Sequence, residues 1–357
     1  MIDRKRRWYQ FSLRAMLACV AIVCAVTGWV SYYLRPRLEF RNAARPVEEL
    51  GGFAGGSPAL GSKGITWISF FYTPLTDAEL QTLRERLEGF PELQEVRLVG
   101  TRVSGEGLKC LRGLYNLEEL WLVNSPVDDA GLESLEGLEN LTSLYLTATR
   151  VTDSGMEYLQ ALPNLEELFL CETEVTGSGL DGLERLKILN LQDAQVTDEG
   201  LAALAGLKKL EVLDLGRTKL TDKGMTHVAG LVELRELDLF ETQIGDVGLR
   251  HLRGLEKLEK LHLDDTQITD AGLEHLKGAV HLKELTLRFT AITDAGLKHL
   301  SGLTELNGLY LEGTQVTAAG GERLHKELPG CWIFANGWGK EPPPDYWRSQ
   351  GEAESSQ

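Results

Sequence analysis

Hydrophobic and polar positions alternate in two different rhythms that keep handing over to each other along most of the chain. In Leu285-Thr286-Leu287 the leucines fall on one face and the threonine on the other, the period of a strand. Twelve residues later Leu297, Leu300 and Leu303 recur at three-residue spacing, which places them on one side of a short helix. The pattern then begins again. Starts at Leu93, Leu117, Leu141 and Leu165 are 24 residues apart, as are those at Leu186, Leu210, Leu234, Leu258, Leu282 and Leu306. An imperfect earlier unit opens at Ile65 (ITWISFFYTPLTDAEL), giving about eleven in all. Each unit predicts strand, turn, helix, turn. None can bury its own apolar positions, so the units must stack, with their strands in one parallel sheet.

A different pattern stands at the N-terminus. Ala15 to Leu34 (AMLACVAIVCAVTGWVSYYL) is 20 residues without a charge between Arg14 and Arg35. That length matches a bilayer core of about 30 Å at about 1.5 Å per residue. Arg4, Lys5, Arg6 and Arg7 precede the run, and Trp29, Tyr32 and Tyr33 sit where an interfacial belt would lie. The expectation is a single-pass signal anchor over 15–34. A cleaved signal peptide is the rival reading, but the run is long for one and no small-x-small site follows it cleanly. The basic leader 1–14 argues for a cytoplasmic N-terminus and an extracytoplasmic body, although Arg35, Arg37, Arg41 and Arg45 weaken the bias.

The repeating unit reads LxxLxLxxTxVTDxGLxxLxxLxx, as in LHLDDTQITDAGLEHL from Leu261 to Leu276. It resembles the 24-residue units of bacterial leucine-rich repeat proteins over roughly residues 65–331. The resemblance implies an α/β solenoid, a curved horseshoe with parallel strands on the concave face and short helices on the convex face. The leader RRWYQFSLRAML also resembles a short basic-aromatic segment that anchors a class of such proteins. Where many family members carry Asn at the ninth position, this chain carries Thr, from Thr73 to Thr314, with Ser125 and Ala194 as exceptions. The unit at Leu165 is only 21 residues long and lacks one xxL step, about one helical turn.

The expected order is therefore leader 1–14, anchor 15–34, linker and N-terminal cap 35–64, repeats 65–331, and from 332 to 357 the end of the C-terminal cap and a disordered tail. Val47 to Gly64 should hold a short helix and a glycine-rich loop, and LHKELPGCWIF a last helix, a turn and a closing strand. The cysteine-rich caps common among secreted family members are absent.

Composition adds little until it is divided. Net charge is −16, yet residues 1–37 carry seven Lys/Arg and one acid, leaving 30 basic and 52 acidic residues in the body. An acidic body disfavours nucleic acid and favours basic or neutral partners. The five cysteines form neither a CxxC pattern nor a disulfide framework.

The recurring Thr-Asp pair, as in Thr269-Asp270, stands where a helix begins. Its oxygens would accept free helix N–H groups, and the following glycine would allow close helix–strand packing. No HExxH, GxSxG or P-loop occurs, and His251, His275 and His299 share one repeat position, which fits surface decoration better than a metal site. Neither enzyme activity nor a cofactor or metal is expected. An EF-hand-like loop is also lacking, against a calcium reading of the acidic residues.

What varies is the solvent side of the strands. The residue between the strand leucines runs through Trp121, Tyr145, Phe169, Asp214, Asp238 and His262; the next outward position includes Phe240, Asp264 and Arg288. Large exposed rings on adjacent strands fit a ligand surface, with Asp214, Asp238 and Asp264 near one another. The expected function is a membrane-anchored, non-catalytic scaffold that binds a protein with a basic or apolar epitope on its concave face. A structural envelope protein and a polysaccharide-binding surface remain alternatives. An F-box-like substrate receptor is disfavoured, because residues 38–64 are too short and glycine-rich for an adaptor-binding segment.

Overall fold

The computed structural model describes residues 35–56, 64–87, 89–336 and 338–339. The expected leader, anchor and tail beyond Gly339 lie outside the described residues. Within those, no helix is long and apolar enough to cross a membrane.

One sheet runs the length of the molecule in sequence order. Its strands are β1 (Phe53–Gly56), β2 (Ile65–Phe71), β3 (Glu95–Val99), β4 (Glu119–Trp121), β5 (Ser143–Tyr145), β6 (Glu167–Phe169), β7 (Ile188–Asn190), β8 (Val212–Asp214), β9 (Glu236–Asp238), β10 (Lys260–His262), β11 (Glu284–Thr286), β12 (Gly308–Leu311) and β13 (Trp332–Ala335). From β2 onward every neighbouring pair is parallel. The inward leucines Leu120, Leu144, Leu168, Leu189, Leu213, Leu237 and Leu261 are fully buried in one continuous core. Strands repeat about every 4.8 Å, closer than packed helices can approach, so the stack bends with the sheet on its inner side.

The front cap differs from expectation. The segment expected as linker is a 15-residue helix, Arg35–Glu49, which seats Ala44 and Val47 in the core. Behind it β1 pairs antiparallel with β2 and covers the sheet edge. At the far end a helix at Ala318–Glu327 leads into β13. The connectors on the outer side are mostly single turns of α- or 3-10 helix, and the short unit between β6 and β7 has none. It turns instead through Gly177, Gly179 and Gly182, all with positive φ, and the strand register is kept as Leu168 to Leu189.

Each strand ends at a residue in the left-handed region, from Tyr72 and Gly100 through Asp193, Glu241 and Asp265 to Phe289 and Gly313. In nine of the eleven the next residue is a buried Thr, or Ser at 125, whose hydroxyl donates to the carbonyl three residues back, as in Thr266 to Leu263 at 2.6 Å; Thr73 and Ala194 are the exceptions. Nine of these eleven left-handed residues are not glycine. Their strain is outweighed by an N–H that still bonds to the next strand, such as Asp265 to the Arg288 carbonyl at 2.8 Å.

The Thr-Asp-x-Gly signature works differently from a simple cap. Thr269 does cap its helix, its hydroxyl accepting the Ala271 N–H. The Asp does not cap its own helix. The Asp246 carboxylate instead reaches the next repeat, where it accepts the Thr269 N–H at 2.8 Å and the Thr269 hydroxyl at 2.6 Å. Asp270 does the same to Thr293. Equivalent pairs join Asp77 to Ser104, Asp129 to Thr152, Asp153 to Thr176, Asp198 to Thr221 and Asp294 to Thr317. Asp222 bonds only the Gly245 N–H, because that repeat has no hydroxyl to offer. The glycine two residues on makes room for this carboxylate: a Cβ on Gly272 would stand 2.4 Å from Asp246 Oδ1, and one on Gly296 2.3 Å from Asp270 Oδ1. Where Gly177 replaces the Asp, the Thr197 N–H falls back on the Thr176 carbonyl at 3.0 Å.

Asp246→Ala leaves the Thr269 N–H and hydroxyl without their acceptor, and we expect a loss of about 1–2 kcal/mol in urea denaturation. Gly272→Ala is expected to destabilise wild type clearly more than it destabilises the Asp246→Ala variant. Additive losses in that double-mutant cycle would show that the glycine answers to something other than the carboxylate.

Candidate functional site

Side chains on the solvent face fall into three rows, because parallel pairing in register brings equivalent positions side by side on consecutive strands. The middle row runs Ser69, Arg97, Trp121, Tyr145, Phe169, Asn190, Asp214, Asp238, His262, Thr286, Tyr310 and Phe334. Neighbours in such a row are about 4.8 Å apart, a spacing that suits flat rings.

Trp121 and Tyr145 stack with centroids 3.6 Å apart and planes 11° from parallel. Tyr145 and Phe169 follow at 4.4 Å and 7°. The Arg97 guanidinium lies 4.8 Å from the Trp121 ring on the other end, and the Trp121 N–H is 3.4 Å from the Glu119 carboxylate. The three rings expected to be exposed are therefore half-buried, covered by one another in a single column. Burial, reinforced by Glu167 and Glu119, pushes the Tyr145 hydroxyl well above its ordinary range and keeps it neutral.

Beyond Phe169 the row drops to the shorter Asn190, and a cavity of about 370 Å³ opens there. Its lining takes the aromatic column, Asn190, Asp214 and Asp238 from the middle row, and Glu167, Ile188, Val212 and Glu236 from the row two residues before it. Asp214 accepts the Gly216 N–H at 2.9 Å, and Asp238 accepts the Phe240 N–H at 3.1 Å and faces His262 Nδ1 at 2.8 Å. Burial raises the Asp214 carboxyl to about 6; the Gly216 N–H opposes the rise and the Asp238 charge adds to it. At His262 burial acts to lower the ring's pKa, but the hydrogen bond and charge of Asp238 outweigh it and the result is a rise.

Of the nine residues expected on the ligand surface, Trp121, Tyr145, Phe169, Asp214 and Asp238 line the cavity, and His262 supports it through Asp238. Phe240, Asp264 and Arg288 do not join them. Phe240 lies 5.3 Å under the Arg217 guanidinium. Asp264 accepts the Arg288 N–H at 2.6 Å, and Arg288 extends over Tyr310 and to Glu312. The expected trio of aspartates is thus a pair. Asp264 stands two residues beyond His262, about 7 Å along the chain, and answers to a cation of its own.

A third row, two residues before the middle one, carries Glu95, Glu119, Glu167, Glu236 and Glu284, with Ser143 between Glu119 and Glu167, Ile188 and Val212 at the cavity, and Lys260 beside Glu236. Strand alternation marks this row as solvent-facing in the sequence, but the repeat pattern draws the eye to the residues beside the leucines. The Tyr310–Phe334 stack, 5.2 Å apart, was hidden because Phe334 lies past the last recognisable unit.

Cys110, Cys171 and Cys331 are free thiols. Burial pushes Cys110 and Cys331 up to about 12 and also raises Cys171, so all three stay protonated at neutral pH. Among the described residues no group of three or more His, Cys, Asp or Glu could hold a metal ion.

Residues 184–244 match one family model described as leucine rich repeat, and residues 254–277 and 279–301 match another of the same description. An internalin (inlF) of Listeria monocytogenes superposes with a TM-score of 0.53 at 21% identity, covering 73% of this chain and 89% of that one; the likeness is one of fold. Internalin C2 of the same organism gives 0.48 at 29% identity, covering 58% of this chain and 83% of its own. A leucine-rich repeat protein of Leptospira interrogans gives 0.47 at 19%, with coverage of 70% and 80%. Nothing among curated proteins matches.

The raised Asp214 value makes a prediction about stability. The fold prefers the neutral carboxyl, so the associated stability is complete below about pH 4 and lost as pH rises through about 6. Asn190, the Gly216 amide, Asp238 and His262 are the groups that set the field there. Asp214→Asn is expected to raise stability on the order of 1–2 kcal/mol at pH 7.5, with the gain vanishing near pH 4. Thermal melts at the two pH values test this; a variant equally stabilised at both would refute it.

Proposed function

From the premise that this chain is a leucine-rich repeat protein, we propose that it is a non-catalytic scaffold whose sheet face binds a protein partner. Leucine-rich repeat domains generally mediate protein–protein interaction. The observation that carries the reading is the aromatic column that ends in an acid-walled cavity. Three stacked rings supply rigid apolar area of the kind enriched at binding hot spots. Around them lie Glu119, Glu167, Asp214 and Asp238, together with Glu95 paired to Arg97 and Glu236 paired to Lys260, a net acidic field that draws a basic epitope and repels nucleic acid.

The apolar run 15–34 would hold the body at a membrane, with the leader cytoplasmic and the repeats on the other side. A polysaccharide surface is less favoured by the geometry. Sugars stack on open ring faces, whereas Trp121 and Tyr145 have theirs covered by each other, by Phe169 and by Arg97, which leaves Phe169 alone in the column with an uncovered face.

The full chain in detergent is expected to capture a saturable protein partner from extracts of its own cells, and Trp121→Ala with Tyr145→Ala is expected to abolish that capture with circular dichroism unchanged. Undiminished capture by the double variant would sink the aromatic-site reading. Protease added to intact cells should cut the repeats if they face outward; full protection would reverse the orientation.

A further inference from the structure

Aromatic side chains on the sheet face are repeatedly covered by an arginine of this chain. Arg97 lies 4.8 Å from the Trp121 ring, Arg217 5.3 Å from Phe240 and Arg288 4.7 Å from Tyr310. The column of Trp121, Tyr145 and Phe169 has such a cover at its Trp121 end alone. At the other end Asn190 occupies the next strand, its side chain turned to the Gln192 N–H at 2.9 Å and too short to span the Phe169 ring. Phe169 is one of the residues that line the cavity.

Three further features of the cavity are chemically specific. One side of its lining is Ile188 and Val212, at row positions that are Glu in β3, β4, β6, β9 and β11. Its far wall is Asp214 beside Asp238, neighbours in register on β8 and β9. Lys and Arg are missing from the lining, although Glu167 and Glu236 add two more carboxylates. An apolar side beside a ring and a pair of carboxylates suits a ligand with an aliphatic stem and a cationic head.

We propose that this cavity is a socket for a single arginine side chain of the protein partner. The guanidinium sits over Asn190 between the Phe169 ring and the Asp214 carboxylate, one edge toward the ring and the other donating to Asp214, with Asp238 adding negative charge behind it and the methylenes beside Ile188 and Val212. Guanidinium fits better than ammonium, because its N–H groups spread over a wider plane, so that one edge meets the Phe169 ring while another donates to the Asp214 carboxylate. The chain itself uses the same pairing at Arg97, Arg217 and Arg288. The volume of about 370 Å³ lies at the lower end of small-ligand sites, enough for one such side chain. The socket rests on the scaffold reading above and specifies one contact within it.

The test uses the full chain in detergent and Nα-acetyl-L-argininamide as probe, followed by saturation-transfer NMR. Saturable binding is expected, with the neutral isostere Nα-acetyl-citrullinamide weaker by at least about tenfold. Asp214→Asn should weaken the argininamide about tenfold and Phe169→Leu several-fold, both with unchanged circular dichroism. Asp264→Asn, outside the cavity, should leave it as in wild type. Binding should also fall as pH drops through about 6, where the Asp214 carboxyl takes up its proton. No saturable binding, equal binding of the citrulline analogue, or indifference to Asp214→Asn in a folded chain would each overturn the socket. A chain that ignores argininamide yet captures a partner through Trp121 and Tyr145 would overturn the socket alone. Argininamide binding with no partner capture would support the socket and count against the scaffold.

Discussion

Parallel strands held in register about 4.8 Å apart place each side chain of one repeat against its equivalent in the next, and this spacing governs core, clamp and surface alike. Inside, it sets leucine on leucine, from Leu120 to Leu261, with each repeat covering the apolar face that its neighbour cannot bury alone. Outside, it sets ring on ring and carboxylate beside carboxylate. The column from Trp121 to Phe169 and the pair Asp214–Asp238 come from one geometry acting on different residues. The first gains dispersion and mutual cover; the second is held together against its own repulsion.

Register on the outer side is held by the carboxylate clamp. Each Asp bridges forward to the backbone and hydroxyl that open the next helical turn, so the hydroxyl caps its own helix and docks the repeat before it in one arrangement. The glycine belongs to the same device, vacating the volume that the incoming oxygen fills. Two steps lack the carboxylate, at Gly105 and Gly177. The second falls in the shortened unit, where the connector has also lost its helix and a backbone carbonyl replaces the acid. The sheet runs through that unit unbroken, so strand pairing and core suffice locally, and the clamp adds to them.

The surface beside that unit is arranged at a cost to stability. A half-buried carboxyl raised to about 6 next to a second carboxylate is a local loss that apolar or amide side chains would avoid. Around it, charges are settled pairwise, as Arg288 settles Asp264 and Glu312. Among the described residues no Lys or Arg pairs with Asp214, and the cavity that it lines lies at the Phe169 end of the aromatic column.

Much of this architecture was legible in the sequence. A 24-residue period with an LxL strand and three-residue helical spacing admits one way of burying its leucines, and the alternation within each strand names the residues that face solvent. The cap hydroxyl of Thr269 was readable too, because N-capping is a local interaction. The partner of Asp246 was not, since its acceptor role is fulfilled 23 residues away and a local reading assigns it to its own helix. Nor were the left-handed residues, because positions such as Tyr72, Glu172 and Phe289 carry no glycine or asparagine to announce them. Sequence determined which residues share a face; only the stacking of repeats decided which of them touch. That is why three rings expected to be open became one stacked column covered at its Trp121 end, three aspartates became a pair, and a cavity opened where the row steps from Phe169 down to Asn190. Face is a property of one strand's period, whereas contact needs two strands and the distance between them.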